Sequence, residues 1–472
     1  MGGDFNAVRN EEEKIGAVHN ASSMNHFSRF IYDIGCMDLP MSGGIFTWCS
    51  NRRDPSYSRL DRFLLSLEFL LVFQNLFQQS LPRSLSDHNA VLLMVEEKNW
   101  GPKPFKFFNH WIEENDFLDL VQSSWSCSHN EGFPPNNLWD KLRAFKIKIK
   151  NWYLQKGAGD PLRISKLEEN IDKEEKCLMA DLDNSSIRES LAKKKDNLWA
   201  LYREEERAWL QKSRLIWLQQ GDRNTKFFHL AASSRRSGNY INKLSDSGMP
   251  TDNPSDIKEA ITHYFERQFN NSQAVKVKDW CGNLKSLNAA SCELLERPFT
   301  NEEVWMVISR SDGNKAPVPD GFNMHFLKTY WVSIKVDMLK IFEIFFESGF
   351  FDKRLNASFI ALIPKCSSAL GLSNYRPISL VGCIYKLLAK VLANRLRVVL
   401  DEVVGPNQFS FIKGRQILDC SLVANEVIDE IKKKRSGGLI FKVDFEKAYD
   451  SVEWSFLDAV MAKMGFGGRW RK

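Results

Sequence analysis

The chain has 472 residues, 43% of them hydrophobic and 26% charged, which suggests about three domains and is ample for sizeable cores. Its 65 basic and 59 acidic side chains give a net charge of +6, which suits an acidic partner without requiring one. No apolar run approaches the ~20 residues of a membrane span, so no membrane partner is expected. The nine cysteines form no Cys-x-x-Cys pair and no zinc spacing, which favours reduced thiols in an intracellular protein.

Three short motifs in the first hundred residues contain the residue types that phosphodiester hydrolysis needs. Asp4 and Asn6 lie in a Gly-Asp-Phe-Asn tetrapeptide, which taken alone also fits a plain turn. Asp61 stands beside a predicted apolar strand, and Asp87 and His88 precede another apolar run. A single histidine is usually structural, but the Ser-Asp-His context favours a functional one. The chemistry requires an activated water, a cation on the phosphate oxygens and stabilisation of the developing charge.

In this order, the motifs resemble the second half of the endonuclease/exonuclease/phosphatase family, which includes the apurinic endonuclease-like nucleases of LINE elements. The resemblance implies that His88 is the general base and that Asp61 orients and charges its imidazole. It also implies that Asp4 positions or deprotonates the water. Asn6 would hydrogen-bond the phosphate, and Asp87 would help to hold the metal.

The family's metal-binding glutamate and its first asparagine come before the Gly-Asp-Phe-Asn motif, and this sequence supplies neither. Residues 1–97 are therefore predicted to form the truncated half of a nuclease β-sandwich, with a strand over 43–48. The prediction is a segment with the residues of a nuclease but without a working nuclease site.

Residues 98–287 are predicted to form a mostly helical linker. Helices over 162–182 and 187–211, joined by a short turn, predict an antiparallel hairpin, which we interpret as a spacer or coiled-coil arm. The block at 217–229 is similar to one that plant LINE polyproteins carry between nuclease and polymerase, and no chemistry is assigned to it. A small β-hairpin over 241–248 and a helix over 256–269 follow.

Residues 288–472 begin with a capping-box pattern, Thr300-Asn301-Glu302-Glu303, and continue with three predicted helices over 324–348, 384–400 and 417–434. The run 439–443 predicts a short buried strand that ends at Asp444. A carboxylate at the tip of a buried strand is costly unless it is paired or binds a cation. A helix-capping aspartate in an α/β unit is the alternative interpretation.

The stretch from Asp444, Asp-Phe-Glu-Lys-Ala-Tyr-Asp-Ser-Val-Glu-Trp, resembles the first palm motif of reverse transcriptases in the form seen in plant LINE-type (non-LTR) retrotransposons. By this resemblance Asp444 is a ligand of catalytic Mg²⁺ (or Mn²⁺). Tyr449 would be the bulky side chain under the sugar of the incoming nucleotide. Lys365 and Arg376 resemble the fingers residues that grip its triphosphate.

A second stretch of this sequence, near residue 410, resembles another loop of reverse transcriptases. The stretch Gln-Phe-Ser-Phe-Ile-Lys-Gly-Arg resembles the family's Gln-x-Gly-Phe loop, with Ser410 in place of glycine. That loop contacts the template in relatives. Lys413 and Arg415 are therefore expected to contact phosphates.

Taken together, these patterns predict an α+β protein with half of a nuclease β-sandwich, a long helical linker with a helix hairpin, and the fingers and partial palm of a reverse transcriptase. The resemblance implies an RNA template, a DNA target, deoxynucleotides and work in the nucleus. Two-metal transfer needs more than Asp444, and by the resemblance the family supplies a later Asp-Asp pair. The sequence contains no such dipeptide, so together with the incomplete nuclease set it predicts inactivity in both reactions. The alternatives are a non-catalytic nucleic-acid-binding protein and a metal-dependent nuclease or phosphatase built from the first segment alone.

Overall fold

The computed structural model of the chain describes residues 1–16, 20–50, 52–73, 76–83, 86–95, 99–126, 138–156, 162–181, 184–213, 232, 235, 238–241, 243–245, 251–269, 284–314, 319–366, 369, 371–435, 437–445, 449 and 452–472. This part of the chain contains both helices and strands, so the expectation of a mixed helix and sheet protein is confirmed. The block predicted at 217–229 and the turn of the predicted 241–248 hairpin lie outside it. None of the described helices is long and apolar enough to cross a membrane.

The first hundred residues form three small sheets with two helices. Their strands are β1 (Gly2–Asp4), β2 (Lys14–Ile15), β3 (Cys36–Asp38), β4 (Met41–Ser42), β5 (Trp48–Cys49), β6 (Tyr57–Ser58), β7 (Asp61–Ser66), β8 (Leu76–Ser80) and β9 (Val91–Val95). The sheet orders are β1-β7-β3, β2-β6-β5 and β4-β8-β9, and every pairing is antiparallel except β4 with β8. Helix α1 (Ala21–Asp33) packs Phe27 and Ile31 against Leu64, and helix α2 (Leu67–Val72) follows β7.

The strand predicted over 43–48 is much shorter than expected, because only Trp48 and Cys49 pair as a strand. Gly43 has φ +84°, which is outside the strand region and which a residue with a side chain adopts only under strain. A Cβ at this position would also lie 2.5 Å from the carbonyl oxygen of Ser80. The two glycines therefore make a turn around β8 instead of extending the strand.

The middle of the chain is helical, as predicted. It contains a 3₁₀ helix (Asn109–Glu113), α3 (Asn115–Ser126), α4 (Leu138–Gln155), α5 (Arg163–Ala180), α6 (Ser185–Ser213) and α7 (Pro254–Phe269). The predicted antiparallel hairpin is confirmed, because contacts between α5 and α6 run in opposite chain directions: Glu174 forms an ion pair with Lys194 at 2.6 Å, and Glu168 accepts a hydrogen bond from Tyr202. Only Ile171 and Leu191 are buried hydrophobics in these two helices, so charge pairs carry much of the contact.

The last part contains α8 (Ala289–Glu296), α9 (Asn301–Arg310), α10 (Met324–Thr329), α11 (Trp331–Ser348), the hairpin of β10 (Ser358–Pro364) and β11 (Tyr375–Val381), α12 (Cys383–Val403), α13 (Ile417–Lys434), α14 (Trp454–Lys463) and α15 (Gly468–Arg471). The capping box is confirmed, since Thr300 accepts from the backbone of Glu303 and Glu303 accepts from that of Thr300. The helix predicted over 324–348 is broken at Tyr330, whose φ of −102° and ψ of 24° end α10.

One hydrophobic core joins α3 and α4 to α9, α10, α11 and α12. Phe107, Phe117 and Phe145 are almost fully buried, and the rings of Phe145 and Phe322 stack at 6.1 Å. The described residues 105–126 and 138–153 therefore contribute to the main core, which the prediction of a helical linker over 98–287 did not include. The apolar face of α4 was visible in the sequence, but the helices that cover it come from residues almost 200 positions later.

The strand predicted over 439–443 does not form. These residues have no strand partner among the described ones, and Leu439 and Phe441 are 91% and 83% exposed. The preceding helix α13 likewise has no buried residue. An apolar run becomes a buried strand only when neighbouring strands pair with it, and no described strand does so here.

Candidate nuclease-like and nucleotide-binding sites

Strand β7 carries Asp61 to the centre of the first candidate site. Nδ1 of His88 lies 2.8 Å from Oδ2 of Asp61, so the two side chains form a carboxylate–imidazole pair. On β1, Asp4 is directly opposite Asp61 in the antiparallel register, which puts both side chains on one face of the sheet. Asp4 accepts the backbone N–H of Asn6 at 2.9 Å, and Asn6 has a φ of +48°, which asparagine tolerates.

Two residues that the sequence analysis did not single out hold this pair in place. Oγ1 of the fully buried Thr47 accepts the backbone N–H groups of Leu60 and Asp61, both at 2.9 Å. The backbone oxygen of Thr47 accepts from Asn89 at 2.6 Å, next to His88. Thr47 therefore connects the strand that carries the carboxylate to the loop that carries the imidazole. The signal in the sequence was a threonine within an otherwise apolar strand pattern.

The charges of the site shift the pKa values of two residues in its loop, Asp87 and His88. Partial burial by itself would lower the pKa of His88, but the hydrogen bond with Asp61 and the negative charges of Asp61, Asp4 and Asp87 raise it above its usual value. The Trp48 indole donates to Asp87 at 3.0 Å and lowers the pKa of that carboxyl. The protonated form of His88 is thus favoured by three carboxylates, which places Asp4, Asp61, Asp87 and His88 in one electrostatic cluster.

A buried network of charges lies behind this cluster. The guanidinium of Arg62 bonds Glu13 at 2.8 Å and Asp38 at 2.7 Å, and its side chain is fully buried. Arg59 bonds the same Asp38 at 2.6 Å. Because Arg59 and Arg62 flank Asp61, these ion pairs fix the backbone on both sides of the candidate catalytic carboxylate.

No group of three or more described aspartate, glutamate, histidine or cysteine side chains has the geometry of a metal site. The three candidate carboxylates of the first segment each have another partner: Asp61 has His88, Asp87 has Trp48, and Asp4 has the backbone of Asn6. The residues present therefore do not fit a preformed Mg²⁺ site in the conformation described.

The hairpin of β10 and β11 carries the second candidate site. In its antiparallel register Ile363 faces Arg376, and the ladder continues with the backbone bond from Lys365 to Asn374 at 2.8 Å. Since side chains alternate along a strand, Lys365 and Arg376 lie on the same face near the hairpin end. Both are exposed, and Nζ of Lys365 donates to the Ser373 carbonyl at 2.8 Å. Arg376 has no hydrogen bond or ion pair to any described residue.

Arg415, in the loop before α13, makes its hydrogen bonds within that loop and to the end of α12. Arg415 donates to the carbonyls of Gly405 and Gln408 at 2.6 and 2.8 Å and pairs with Asp401 at 2.8 Å. Its side chain is 19% exposed, so the geometry gives it a loop-closing role. Lys413, in contrast, is exposed, and its role as a phosphate contact stays a prediction.

Asp444 is exposed and makes no hydrogen bond or ion pair with Lys365, Arg376 or Tyr449 in the described part of the chain. The ring of Tyr449 lies 6.4 Å from that of Phe411, so the predicted palm motif touches the loop before α13. Phe411 has a φ of +65°, which is strained for a residue of this size. The structure thus places Lys365 and Arg376, the predicted triphosphate contacts, and Asp444, the predicted metal ligand, on separate elements without a direct contact.

Comparison with known proteins assigns the second candidate site to a family. Residues 363–472 match the family described as reverse transcriptase (RNA-dependent DNA polymerase). The chain carries a reverse transcriptase domain. Along 99% of its length the chain is also 24% identical to the Transposon TX1 uncharacterized 149 kDa protein of Xenopus laevis, of which it covers 36%.

Two further relatives match the later part of the chain. The Retrovirus-related Pol polyprotein from type-1 retrotransposable element R2 of Nasonia vitripennis is 28% identical over 38% of the chain, and the match covers 17% of that protein. The RNA-directed DNA polymerase from mobile element jockey of Drosophila funebris is 28% identical over 33% of the chain, again covering 17%. The chain is thus related to non-LTR retrotransposon polyproteins and spans about a third or less of the length of these relatives.

The matched reverse transcriptase domain begins inside β10. Lys365, Arg376, Lys413, Arg415 and Asp444 all lie within it, whereas the His88 cluster does not. The domain also depends on residues before the match, because α12 packs on α9 to α11 and through them on α3 and α4.

Proposed function

We propose that the protein takes part in RNA-directed DNA synthesis by a plant-type LINE element, with its β10–β11 hairpin gripping the triphosphate of an incoming deoxynucleotide. The observation that carries this proposal is the position of Lys365 and Arg376 on one exposed face of a hairpin within the reverse transcriptase domain. Two cations on one face can neutralise charge that moves during phosphoryl transfer. The RNA template, DNA target, divalent cation and nuclear location belong to the same proposal.

The single exposed carboxylate Asp444 does not complete a two-metal centre with other described residues. We therefore expect the chain to bind nucleotide and nucleic acid but to incorporate no nucleotide by itself. Steeply salt-dependent RNA binding with no deoxynucleotide binding would favour the alternative of a non-catalytic nucleic-acid-binding protein.

The double substitution Lys365→Gln and Arg376→Gln is expected to weaken deoxynucleotide binding by about tenfold or more, because hydrogen bonds to charged groups contribute roughly 1.5–3 kcal/mol each. Binding is measured with a fluorescent deoxynucleoside triphosphate in the full chain. Lys193→Gln, which removes an exposed lysine paired only with Glu189 on α6, is the matched control. Wild-type protein that binds no deoxynucleotide would refute the proposed role of the hairpin.

The His88–Asp61 pair favours a second function for the first segment. Its 2.8 Å contact and the raised pKa of His88 fit a general base held by a carboxylate, as in endonuclease/exonuclease/phosphatase-like nucleases. Because the carboxylates near it have other partners, we propose that the acid–base pair is intact and that the chain does not cleave DNA on its own.

Asp61→Asn is expected to lower the pKa of His88, because it removes the negative charge that stabilises the imidazolium. An NMR titration of the His88 ring measures this change, and Asp33→Asn, a change at an exposed residue of α1, serves as the control. Plasmid nicking is assayed in parallel with Mg²⁺. Nicking that His88→Ala abolishes would overturn the expected inactivity, whereas an unchanged His88 pKa in Asp61→Asn would remove the basis for the dyad.

A further inference from the structure

A cleft of about 600 Å³ lies between the helix hairpin and the main core, away from both candidate sites. The 3₁₀ helix and the end of α4 form one wall, and the first turns of α5 and the middle of α6 form the other. This volume is within the range of pockets that hold a molecule the size of a nucleotide. None of the functions discussed above uses this cleft.

Three polar ring atoms in the wall of the cleft have no partner. Both ring nitrogens of His110 and Nε1 of Trp111 are buried without a hydrogen bond to any described residue, although the two residues are only 6% and 4% exposed. Oε1 of Glu204 faces Nε2 of His110 at 3.8 Å, which is within ion-pair range but too long for a hydrogen bond, and the interaction with His110 lowers the pKa of Glu204. Buried polar groups in native proteins are almost always satisfied, so these atoms indicate a ligand that supplies complementary groups.

The remaining lining is mixed: it includes the aromatic rings of Trp152 and Tyr153 and the basic side chain of Arg163, together with acidic, amide and aliphatic side chains. The ring of Tyr153 lies 5.2 Å from that of Trp111, and the ring of Trp152 lies 6.0 Å from it. Arg163 is close enough for its charge to act on Glu204 and Tyr153, yet it makes no hydrogen bond or ion pair with the residues the structure describes. Aromatic faces next to an uncommitted guanidinium are the features that bind a stacked base and its phosphate.

A positive patch adjoins the cleft. The Phe108 ring lies 5.6 Å from the ring of His110, and Nζ of Lys212 sits 5.7 Å from the Phe108 ring. Partial burial, together with the positive charges of Lys106 and Lys103, lowers the pKa of Lys212 despite the opposing charge of Glu205. Lys212, with Lys103 and Lys106 near enough for their charges to act on it, therefore forms a basic patch one aromatic ring away from His110, which favours a polyanion over a small neutral ligand.

We propose that this cleft receives one base of a single-stranded nucleic acid, with the phosphates held by Arg163 and the Lys103, Lys106 and Lys212 patch. Glu204 can only accept hydrogen bonds when ionised. The exocyclic amine of cytosine can donate to it, whereas the one base-edge donor of uracil, N3–H, lies between two carbonyl oxygens that repel a carboxylate, so we expect cytosine to be preferred. The choice of nucleic acid as the occupant rests on the proposed function, while the cleft and its unsatisfied atoms do not depend on it.

Fluorescent oligocytidine and oligouridine RNAs, titrated into the full chain, test the proposal. Wild-type protein is expected to bind oligocytidine more tightly, and Arg163→Gln to weaken it by about tenfold. Glu204→Gln is expected to remove the preference, because a glutamine amide both donates and accepts. Lys176→Gln, on the same helix α5 but outside the cleft, should change neither value.

The variant His110→Phe tests whether His110 contributes to RNA binding or to folding. It keeps a ring of similar shape and removes both unpaired nitrogens, so the thermal stability of the free protein should stay the same or rise while RNA affinity falls. Ultraviolet cross-links of bound oligocytidine should map to peptides 109–113 and 151–156.

RNA binding that resists Arg163→Gln and His110→Phe, with cross-links only in the reverse transcriptase domain, would overturn the cleft site and leave the proposed function standing. A large loss of stability in His110→Phe with unchanged affinity would show that His110 is structural, and it too would overturn the site. Absence of any RNA binding in wild-type protein would end both proposals.

Discussion

Replacing Arg62 with methionine is expected to cost the first segment about 3–5 kcal/mol of stability, the effect of removing one partner from a buried ion pair. The Arg62 side chain is fully buried and bonds Glu13 at 3.0 and 2.8 Å, Asp38 at 2.7 Å, and the carbonyls of Ala7 and Arg59 at 3.1 and 2.7 Å. Methionine fills the space but leaves two buried carboxylates with fewer partners. A loss of this size approaches the whole stability of a small domain.

Hydrogen exchange of β7 peptides in the full chain measures the change, since it reports the first segment separately from the main core. Arg29→Met is the matched control, because Arg29 is 82% exposed and pairs only with Asp33 at 3.7 Å. Protection of β7 from exchange should fall in Arg62→Met and stay unchanged in Arg29→Met. Equal protection of β7 in both would mean that the buried charges contribute little, and that the backbone around Asp61 is held by the sheets alone.

Replacing Arg395 with methionine is expected to destabilise the junction of α8, α9 and α12 by about 3–5 kcal/mol. Arg395 is 4% exposed, donates to Glu303 at 2.7 Å, and also bonds the carbonyls of Leu295, Arg297 and Pro298 at 3.1, 2.6 and 2.8 Å. These carbonyls belong to the end of α8 and the segment that leads to α9, so the guanidinium joins three elements. The control is Arg397→Met, two residues along the same helix, where the side chain is exposed and bonds only Asn394.

The contact between Glu303 and Arg395 also predicts how the stability of the fold changes in acid. Burial alone would raise the pKa of Glu303, but its hydrogen bonds with Arg395 and Arg297 lower that pKa to about 2. A depressed carboxyl pKa stabilises the fold above the unfolded value of about 4.5, and this stability is lost as the pH falls towards 2. Urea unfolding at several pH values should show this dependence in wild-type protein and a weaker one in Arg395→Met. An identical acid dependence in both would contradict the assigned partner.

Several features of the molecule followed from local sequence signals. The capping box at Thr300, the bounds of α13 and the antiparallel hairpin of α5 and α6 were all predicted, because capping, helical spacing and short turns depend on residues near one another in the chain. The close approach of Asp61 and His88 also matches the expected pattern, since each stands next to a recognisable strand. The catalytic roles of these residues stay predictions.

Other features depended on contacts between distant residues. Periodicity showed that α4 has an apolar face but not that Phe322 and Phe326 would cover it, so the sequence did not reveal that α4 belongs to the main core. The hydrogen bonds that Arg415 makes inside its own loop could not be predicted either. The local sequence around a loop arginine does not indicate whether its side chain faces solvent or closes a turn.

By itself, the sequence determined the family of the reverse transcriptase domain, the order of its motifs and the type of most helices, because these are properties of contiguous residues. Only the tertiary structure decided which faces share a core and that residues 439–443 stay exposed. It also decided that ring nitrogens of His110 and Trp111 lie in the wall of a cleft without hydrogen bonds. The physical reason is that burial and hydrogen-bond satisfaction are properties of the partners a residue finds in space, and those partners lie far away along the chain.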